Sequence, residues 1–383
     1  MKSKFAALLL TWVAFLTYPV EGISQNLDIR GQLSGWLMLN GSKSIQTQIG
    51  VRYIPTFSLK KSWVEKYSID AEISVNAFGT AQVPSLDDIQ TSGEIKPYRI
   101  WIRFSTSQFE ARLGLQKINF GSAMLLRPLM WFDRIDPNDP LQLTDGVYGL
   151  LLKYTFLNNA NIWLWGLYGN DDPKGWETIP TQRKTMEYGG RFQTPFLKGE
   201  TAFSYHYRRM DSSQRLLNRP LLDENQVPEN RLALDGKWDI GLGIWFEGVL
   251  IHQDFKSVPL KYQRNINIGV DYTFSLGNGL HVMGEHLALE VSKTALGRGE
   301  AVKISAVALD YPLGLTDRIR GMLFHNWESR DWYRFITWQR TYDRWSFYII
   351  GFWNPEQYQI YLSQQGKNLF AGKGIQIMVV FNH

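Results

Sequence analysis

Apolar and polar residues alternate one for one along most of this chain, in runs divided by short, turn-rich breaks. From Thr47 to Tyr53, Ile49, Val51 and Tyr53 share one face while Gln48, Gly50 and Arg52 share the other. From Tyr98 to Phe104, Tyr98, Ile100, Ile102 and Phe104 oppose Arg99, Trp101 and Arg103. Ser68 to Ala77, Met186 to Gln193, Glu200 to Arg208, Arg264 to Phe274 and Gly374 to Phe381 repeat the pattern. A period of two sends successive side chains to opposite sides of a pleated strand. Each run therefore predicts a strand with one oily and one polar face, and no sustained helical stripe competes with it. Eighteen candidates fall near 27–39, 44–57, 67–79, 97–105, 108–118, 146–157, 160–169, 185–194, 199–209, 230–238, 242–253, 262–275, 280–292, 301–311, 317–327, 332–341, 344–353 and 373–382. Sixteen strands is the alternative, and Tyr358 to Leu362 could add a further strand or a fold-back.

A soluble sandwich would bury the oily faces, and a membrane barrel would turn them to lipid. Three features favour the barrel. Tyr, Trp and Phe gather near the ends of the oily faces, as in the aromatic girdles at membrane interfaces. The final run, GIQIMVVFNH, carries Phe381 close to the terminus, which resembles the signal by which outer-membrane barrels reach their assembly machinery. The connections alternate for most of the chain between short (STSQ, LNNA, PFLKG, LGNG, TYDR) and long (GTAQVPSLDDIQTSGEIK, NDDPKGWETIPTQRK, Met210 to Glu229). Short periplasmic turns and long outer loops produce that rhythm when both termini lie inside. The predicted fold class is an all-β, closed antiparallel transmembrane barrel, which leaves no lipid-exposed edge unpaired.

The N-terminal residues modify this picture. MKSKFAALLLTWVAFLTYPVEGIS has two lysines, an apolar run to about Leu16 and small residues near Gly22 and Ser24, the layout of a cleaved signal peptide over 1–24. Residues 25–383 then form one barrel domain, since no linker or charge block divides them. The chain holds no Cys, which excludes a disulfide scaffold and a lipidated cysteine. Its 15 Trp, 18 Tyr and 21 Phe suit a pleated, half-buried surface. A formal charge of +5 is too modest for this length to imply a nucleic-acid partner.

One stretch breaks the alternation. RPLMWFDRIDPNDPLQLTDG, Arg127 to Gly146, packs prolines, aspartates and two arginines between the fifth and sixth candidate strands. LGLQKINFG followed by LLRPLMWFDRIDPNDP and a returning strand resembles the alginate-export-type and related porin-like barrels of Gram-negative bacteria. The terminal NLFAGKGIQIMVVFNH resembles members from Bacteroidetes-type organisms. The resemblance implies an eighteen-stranded, often monomeric barrel whose third long loop folds inward and narrows a polar channel. Outer-membrane lipid, lipopolysaccharide and small polar or anionic solutes would be its partners.

On that expectation Arg127, Asp133, Arg134, Asp136, Asp139 and Asp145 form the constriction of loop 119–145, stiffened by Pro128, Pro137 and Pro140. The alternative is that these charges pair with the wall and pin the loop. Alternation places Arg52, Asp70, Glu72, Arg99, Arg103, Glu110, Arg112, Arg191, Arg318 and Arg320 on the lumen wall, with Lys153, Glu187, Arg208, Asp235, Lys237, Asp271 and Arg334. Basic residues favour anions, although cross-strand pairing would cancel many of these charges. No catalytic constellation, metal or cofactor is expected. The six histidines, 206, 252, 281, 286, 325 and 383, are scattered without an HxxxH or a nucleophile elbow, and His281 and His286 fall on opposite faces of a strand. A passive channel is the leading expectation. A closed structural or assembly-partner barrel and a polysaccharide exporter are the alternatives, with a barrel-embedded hydrolase least favoured.

Overall fold

A computed structural model describes residues 24–41, 46–63, 66–85, 88–211, 225–256, 258–356 and 370–383. The expected leader falls largely outside these, as does Tyr358 to Leu362. Eighteen strands run β1 (Ser24–Asn40), β2 (Gln46–Trp63), β3 (Tyr67–Ser85), β4 (Asp88–Ser105), β5 (Phe109–Gln116), β6 (Val147–Thr155), β7 (Asn161–Tyr168), β8 (Met186–Phe196) and β9 (Gly199–Asp211). They continue as β10 (Asn225–Asp239), β11 (Gly243–Gln253), β12 (Tyr262–Phe274), β13 (Leu280–Ser292), β14 (Glu300–Pro312), β15 (Asp317–Asn326), β16 (Asp331–Thr341), β17 (Trp345–Trp353) and β18 (Lys373–Asn382). Each pairs antiparallel with its sequence neighbours, and β1 pairs with β18 from Gln32↔Asn382 to Asn40↔Gly374, closing the sheet.

Every connection at the end that holds both chain termini, the turn end, has two to five residues; all the longer ones lie at the other, the loop end, together with the short connections β1–β2, β3–β4 and β15–β16. One predicted long connection is not a loop. GTAQVPSLDDIQTSGEIK belongs almost wholly to β3 and β4, which pair rung by rung from Ala77↔Ile95 to Gln82↔Gln90. Likewise β9 reaches Asp211 and β10 begins at Asn225, so the connection predicted from Met210 to Glu229 is shorter, and 212–224 lie outside the described residues.

The face with period two that carries Leu33, Val51, Leu164, Phe203, Ile268 and Ile336 is exposed around the whole sheet. Such a belt is stable only against hydrocarbon, and closure satisfies the backbone there. Aromatic pairs border it at the turn end, such as Tyr67–Phe104, Trp238–Phe246 and Trp345–Phe381. Tyr188–Tyr207 and His252–Tyr262 border it at the loop end. The chain is thus a membrane-spanning barrel with a polar lumen.

Candidate functional site

The connection between β5 and β6 runs from residue 117 to 146 and packs against lumen-facing side chains on the far side of the barrel. Its root is aromatic: Ile118, Phe120, Leu129, Trp131 and Phe132 bury against Val147, Leu151, Trp165, Leu167, Val249 and Ile251 on β6, β7 and β11. Its tip carries Ala123, Leu125, Leu126 and Met130 onto Trp245, Met283, Leu287, Ile304, Phe324 and Phe335. Farther along, Leu141 packs beside Tyr348, Ile350, Met378 and Val380. Burying an apolar side chain of this size contributes about 1.5–3 kcal/mol, so the loop is held by many such increments.

Two wall carboxylates fix the tip. Glu285 on β13 accepts hydrogen bonds from the backbone N–H groups of Met124 (2.6 Å), Leu125 (3.2 Å) and Leu126 (2.6 Å). Glu247 on β11 accepts from Ala123 (2.8 Å) and Leu129 (3.2 Å). Asn267 on β12 donates to the Leu126 carbonyl at 2.8 Å. Neither glutamate is among the residues sequence reasoning selected. The available signal was a lone acid on an inward face otherwise built of Trp245, Val249 and Ile251, or of Met283 and Leu287.

The six predicted constriction residues take different positions. The Arg127 guanidinium and the Asp133 carboxylate are buried and face each other through two contacts of 3.2 Å, with Asn119 Oδ1 as a further acceptor. Burial pushes the Asp133 carboxyl above the usual range, opposed by the Arg127 charge. Asp136 accepts from the Asn138 backbone at 2.8 Å, and Asp139 accepts from Leu141 (3.0 Å) and Leu143 (3.3 Å). These two carboxylates make the turns around Pro137 and Pro140. Burial also raises the Asp139 pKa, opposed by its hydrogen bonds from the Leu141 and Leu143 backbone and by the Arg52 charge. Arg134 is half-buried, its backbone N–H held by Thr144 Oγ1 at 2.8 Å. Asp145 is exposed and pairs with Lys96 of β4 at 2.7 Å.

A second connection, 169–185 between β7 and β8, closes over the first. Trp176 Nε1 donates to the Arg127 carbonyl at 2.9 Å, and Gly175 N–H donates to the Asp133 carbonyl at 3.0 Å. Gly175 has φ +48 and sits so near the Met130 carbonyl that a Cβ would collide with it. Glu177 reaches Arg208 (3.0 Å) and Arg231 (2.6 Å) on β9 and β10, and both arginines also meet Glu229. All four are buried. Burial lowers the pKa of Lys174 in the same connection, and Glu177 counteracts it.

Of the ten predicted wall residues, all lie on the inward face, opposite the exposed apolar belt. Arg191 is sequestered in a bidentate pair with Asp235 (2.7 Å each) and lies 5.0 Å from the Phe120 ring, so it braces the loop root. Arg103 pairs with Asp70 (2.6 Å) and Glu110 (3.4 Å), and Arg112 with Glu110 (2.8 Å). Glu72 shares this inward row, across from Trp101 on β4. Arg318 and Arg320 share Asp310. Arg52 and Arg99 have no carboxylate within ion-pair distance among the described residues. Arg52 lies 5.5 Å from both the Trp36 and Phe78 rings; Arg99 lies 4.0 Å from the Tyr98 ring and donates to the Thr144 carbonyl at 3.0 Å.

Arg334 departs from its expected place. It shares a face with exposed Trp332 and Ile336, outside the barrel, because the inward parity of β16 belongs to buried Tyr333 and Phe335. Of the predicted histidine faces, His281 is inward, 3.7 Å from Asp271, and His286 is outward.

The loop's apolar contacts reach β6, β7, β10, β11 and β13–β18 and the inner face of β1. Toward β2–β5 it offers polar contacts instead, through Thr144 to Arg99 and Asp145 to Lys96. The inward faces of β2–β5 are therefore a polar side of the barrel interior, outside the loop's apolar contacts.

No protein-family model matches the chain, and no curated protein resembles it at a significant level; the alginate-export-type resemblance and the Bacteroidetes origin thus find no support. Among solved structures, OccAB1 of Acinetobacter baumannii superposes with a TM-score of 0.53 at 10% identity, over 93% of this chain and 95% of that one. OpdQ of Pseudomonas aeruginosa gives 0.53 at 10% identity over 94% and 98%. OccK7 (OpdD) of Pseudomonas aeruginosa gives 0.52 at 10% identity over 94% and 99%. At this identity the likeness is one of fold: the chain is a closed eighteen-stranded antiparallel β-barrel.

Proposed function

We propose that the protein is a passive outer-membrane channel for small polar solutes, with a preference for anions. The turn end would face the periplasm and the loop end the exterior. The observation that carries this reading is the asymmetry of the lumen. Apolar packing of loop 117–146 runs from β6 round the wall to β1, and the polar inward faces of β2–β5 make up the remaining sector. A wet, charged lumen spares a polar solute the cost of entering hydrocarbon. The channel boundary is drawn by Asp139 and Asp145 on the loop side and by Arg52, Arg99, Arg103 and Arg112 on the wall side.

Anion preference rests on which charges are closed. Arg103 and Arg112 are neutralised by Asp70 and Glu110, whereas Arg52 and Arg99 rest on aromatic rings and carbonyls. Unpaired guanidinium groups bordering a pore favour anions. Arg127 and Asp133 serve differently, as an internal strut of the loop. The test is the reversal potential of the purified barrel in a planar bilayer under a KCl gradient. A chloride-directed potential supports the reading, and a potassium-directed one removes the anion preference. The solved structures reported above share this chain's fold only, so the solute class rests on the lumen chemistry.

A further inference from the structure

Closure pairs every strand within the membrane, but at the loop end one strand outgrows its neighbour. β4 pairs with β5 only from Ile100↔Leu115 to Ser105↔Glu110, whereas its pairing with β3 continues past Gln82↔Gln90. From Ile89 to Pro97, β4 therefore has a neighbouring strand on one side alone.

The ladder fixes which backbone groups line the open side. Gly31 and His383 exchange both N–H···O bonds, so odd residues of β1 bond to β18. Successive residues of a strand turn their backbone groups to opposite sides. The registers Asn40↔Gln46, Thr47↔Val83 and Gln82↔Gln90 carry that alternation across β2 and β3 to β4. Gln90, Ser92 and Glu94 thus bond toward β3. The N–H and C=O groups of Ile89, Thr91, Gly93 and Ile95 face the open side, where no group among the described residues pairs with them. Only the foot of this edge is blunted. Pro97 has no N–H, Tyr98 is the extra residue of a bulge between Pro97↔Val75 and Arg99↔Ser74, and Lys96 and Arg99 hold Asp145 and the Thr144 carbonyl. Proline, bulges and paired charge are the devices that keep an edge from recruiting another strand, and above Pro97 they stop. The open stretch is about 20 Å long at the antiparallel rise. Ile89 and Ile95 are 64% and 79% exposed on its outward face, with Gln90, Ser92 and Glu94 exposed on the other.

We infer that Ile89–Ile95 is a docking edge for an extended segment of a partner protein, which adds a strand beside β4 in the place β5 leaves when it ends at Gln116. An open ladder specifies its occupant, since extended polypeptide offers donors and acceptors at matching intervals. The side chains set the chemistry: apolar or β-branched residues opposite Ile89 and Ile95, and a Lys or Arg opposite Glu94, which has no cation within ion-pair distance among the described residues. A second copy fits poorly. Two barrels side by side in one membrane each tilt their strands by about 40°, so their β4 edges would cross at roughly twice that angle. The inference rests on the barrel's seating in the membrane and is independent of the channel reading.

The probe is a fluorescent nine-residue peptide of alternating Val and Thr with one central Lys, titrated into the full barrel in detergent. Its counterpart is N-methylated at every Val and Thr. We expect saturable binding of the first peptide, none of the second, and amide hydrogen exchange across 89–95 slowed at least fivefold by the first. Thr91→Pro removes an open-side N–H while sparing the β3 ladder, and should weaken binding at least tenfold. Heat-shifted gel mobility reports that the variant barrel is intact, and unchanged exchange at Gln90 and Ser92 that its hairpin is. Binding of the N-methylated peptide within twofold of the first overturns the inference. So does a folded Thr91→Pro barrel that binds within twofold of the parent, or the absence of saturable binding. Self-association of the barrel that Thr91→Pro abolishes assigns the edge to a second copy and also overturns it.

Discussion

Removing the Glu285 carboxylate tests how the loop is held. Three successive N–H groups, of Met124, Leu125 and Leu126, converge on it, and Asn267 Nδ2 adds a contact at 3.3 Å. A hydrogen bond to a charged acceptor is worth about 1.5–3 kcal/mol net. The shared geometry at Leu125 and the water able to enter after truncation bring the cost of Glu285→Ala to about 2–4 kcal/mol. The apolar contacts of Trp131 and Phe132 persist, so the loop root stays in place and only segment 123–126 loosens. At 1.4 kcal/mol per decade, that segment should open about 30- to 700-fold more often. Because the chain lacks Cys, a single reporter is unambiguous. Ala123→Cys places a thiol at a position only 2% exposed, where reaction with a polar maleimide requires local opening. The thiol in an Ala123→Cys, Glu285→Ala barrel should react faster by that factor. Glu290→Ala, an outward residue of the same strand, should leave the rate unchanged. A change under threefold for Glu285→Ala would show that the wall carboxylate does not latch the tip.

Four further outcomes follow from the same contacts. Replacing Arg208 with Met leaves two buried carboxylates, Glu177 and Glu229, with Arg231 as their one guanidinium partner; the loss should be about 3–5 kcal/mol, read as a lowered denaturant midpoint in detergent. Gly175→Ala forces a Cβ against the Met130 carbonyl at a positive φ, and should expose connection 169–185 to protease while the barrel keeps its heat-shifted mobility. Because burial raises the folded pKa of Asp139 above its unfolded 3.8, the proton-bound form is favoured by folding. Its contribution is fullest below the unfolded value and is lost as pH rises through the folded one, so Asp139→Asn should flatten the fall in melting temperature just above pH 4. Finally, a chloride passing about 5 Å from Arg52 gains about 0.8 kcal/mol at the dielectric of water, and a potassium loses as much. Arg52→Gln should therefore lower the chloride-to-potassium permeability ratio by up to about 15-fold in bilayer recordings.

The barrel was legible in the sequence because one physical rule governs every strand. A wall two residues in period, with lipid on one side and water on the other, writes itself as alternation, and closure demands an even set of such runs. Alternation failed where lipid stops. Ala77 to Ile95 reads Gly, Thr, Gln and Ser on both faces, so the hairpin of β3 and β4 looks like a loop although its backbone pairs rung by rung from Ala77↔Ile95 to Gln82↔Gln90. Arg334 was misplaced for a related reason. Cation–aromatic stacking lets a charged side chain occupy the outer wall near the headgroups, where sign alone suggests the lumen.

The loop was legible as an interruption, and its aspartates as turn-formers, because Asp beside Pro has a local conformational meaning. Its partners were not legible. Glu247 and Glu285 lie 118 to 161 residues beyond the N–H groups they accept. Only closure of the barrel brings β11 and β13 opposite β5, and no local pattern encodes that distance. The same holds for Trp176, which reads as one aromatic in a polar connection until its N–H is found on the Arg127 carbonyl.

The central claim is that loop 117–146 narrows, without sealing, a water-filled barrel. Single-channel recording of the purified protein beside a variant lacking Ser122 to Thr144 tests it most directly. The account predicts discrete conductance steps for the full chain and larger steps for the deletion. A full chain that conducts nothing, or a folded deletion variant whose steps match those of the parent, would contradict it.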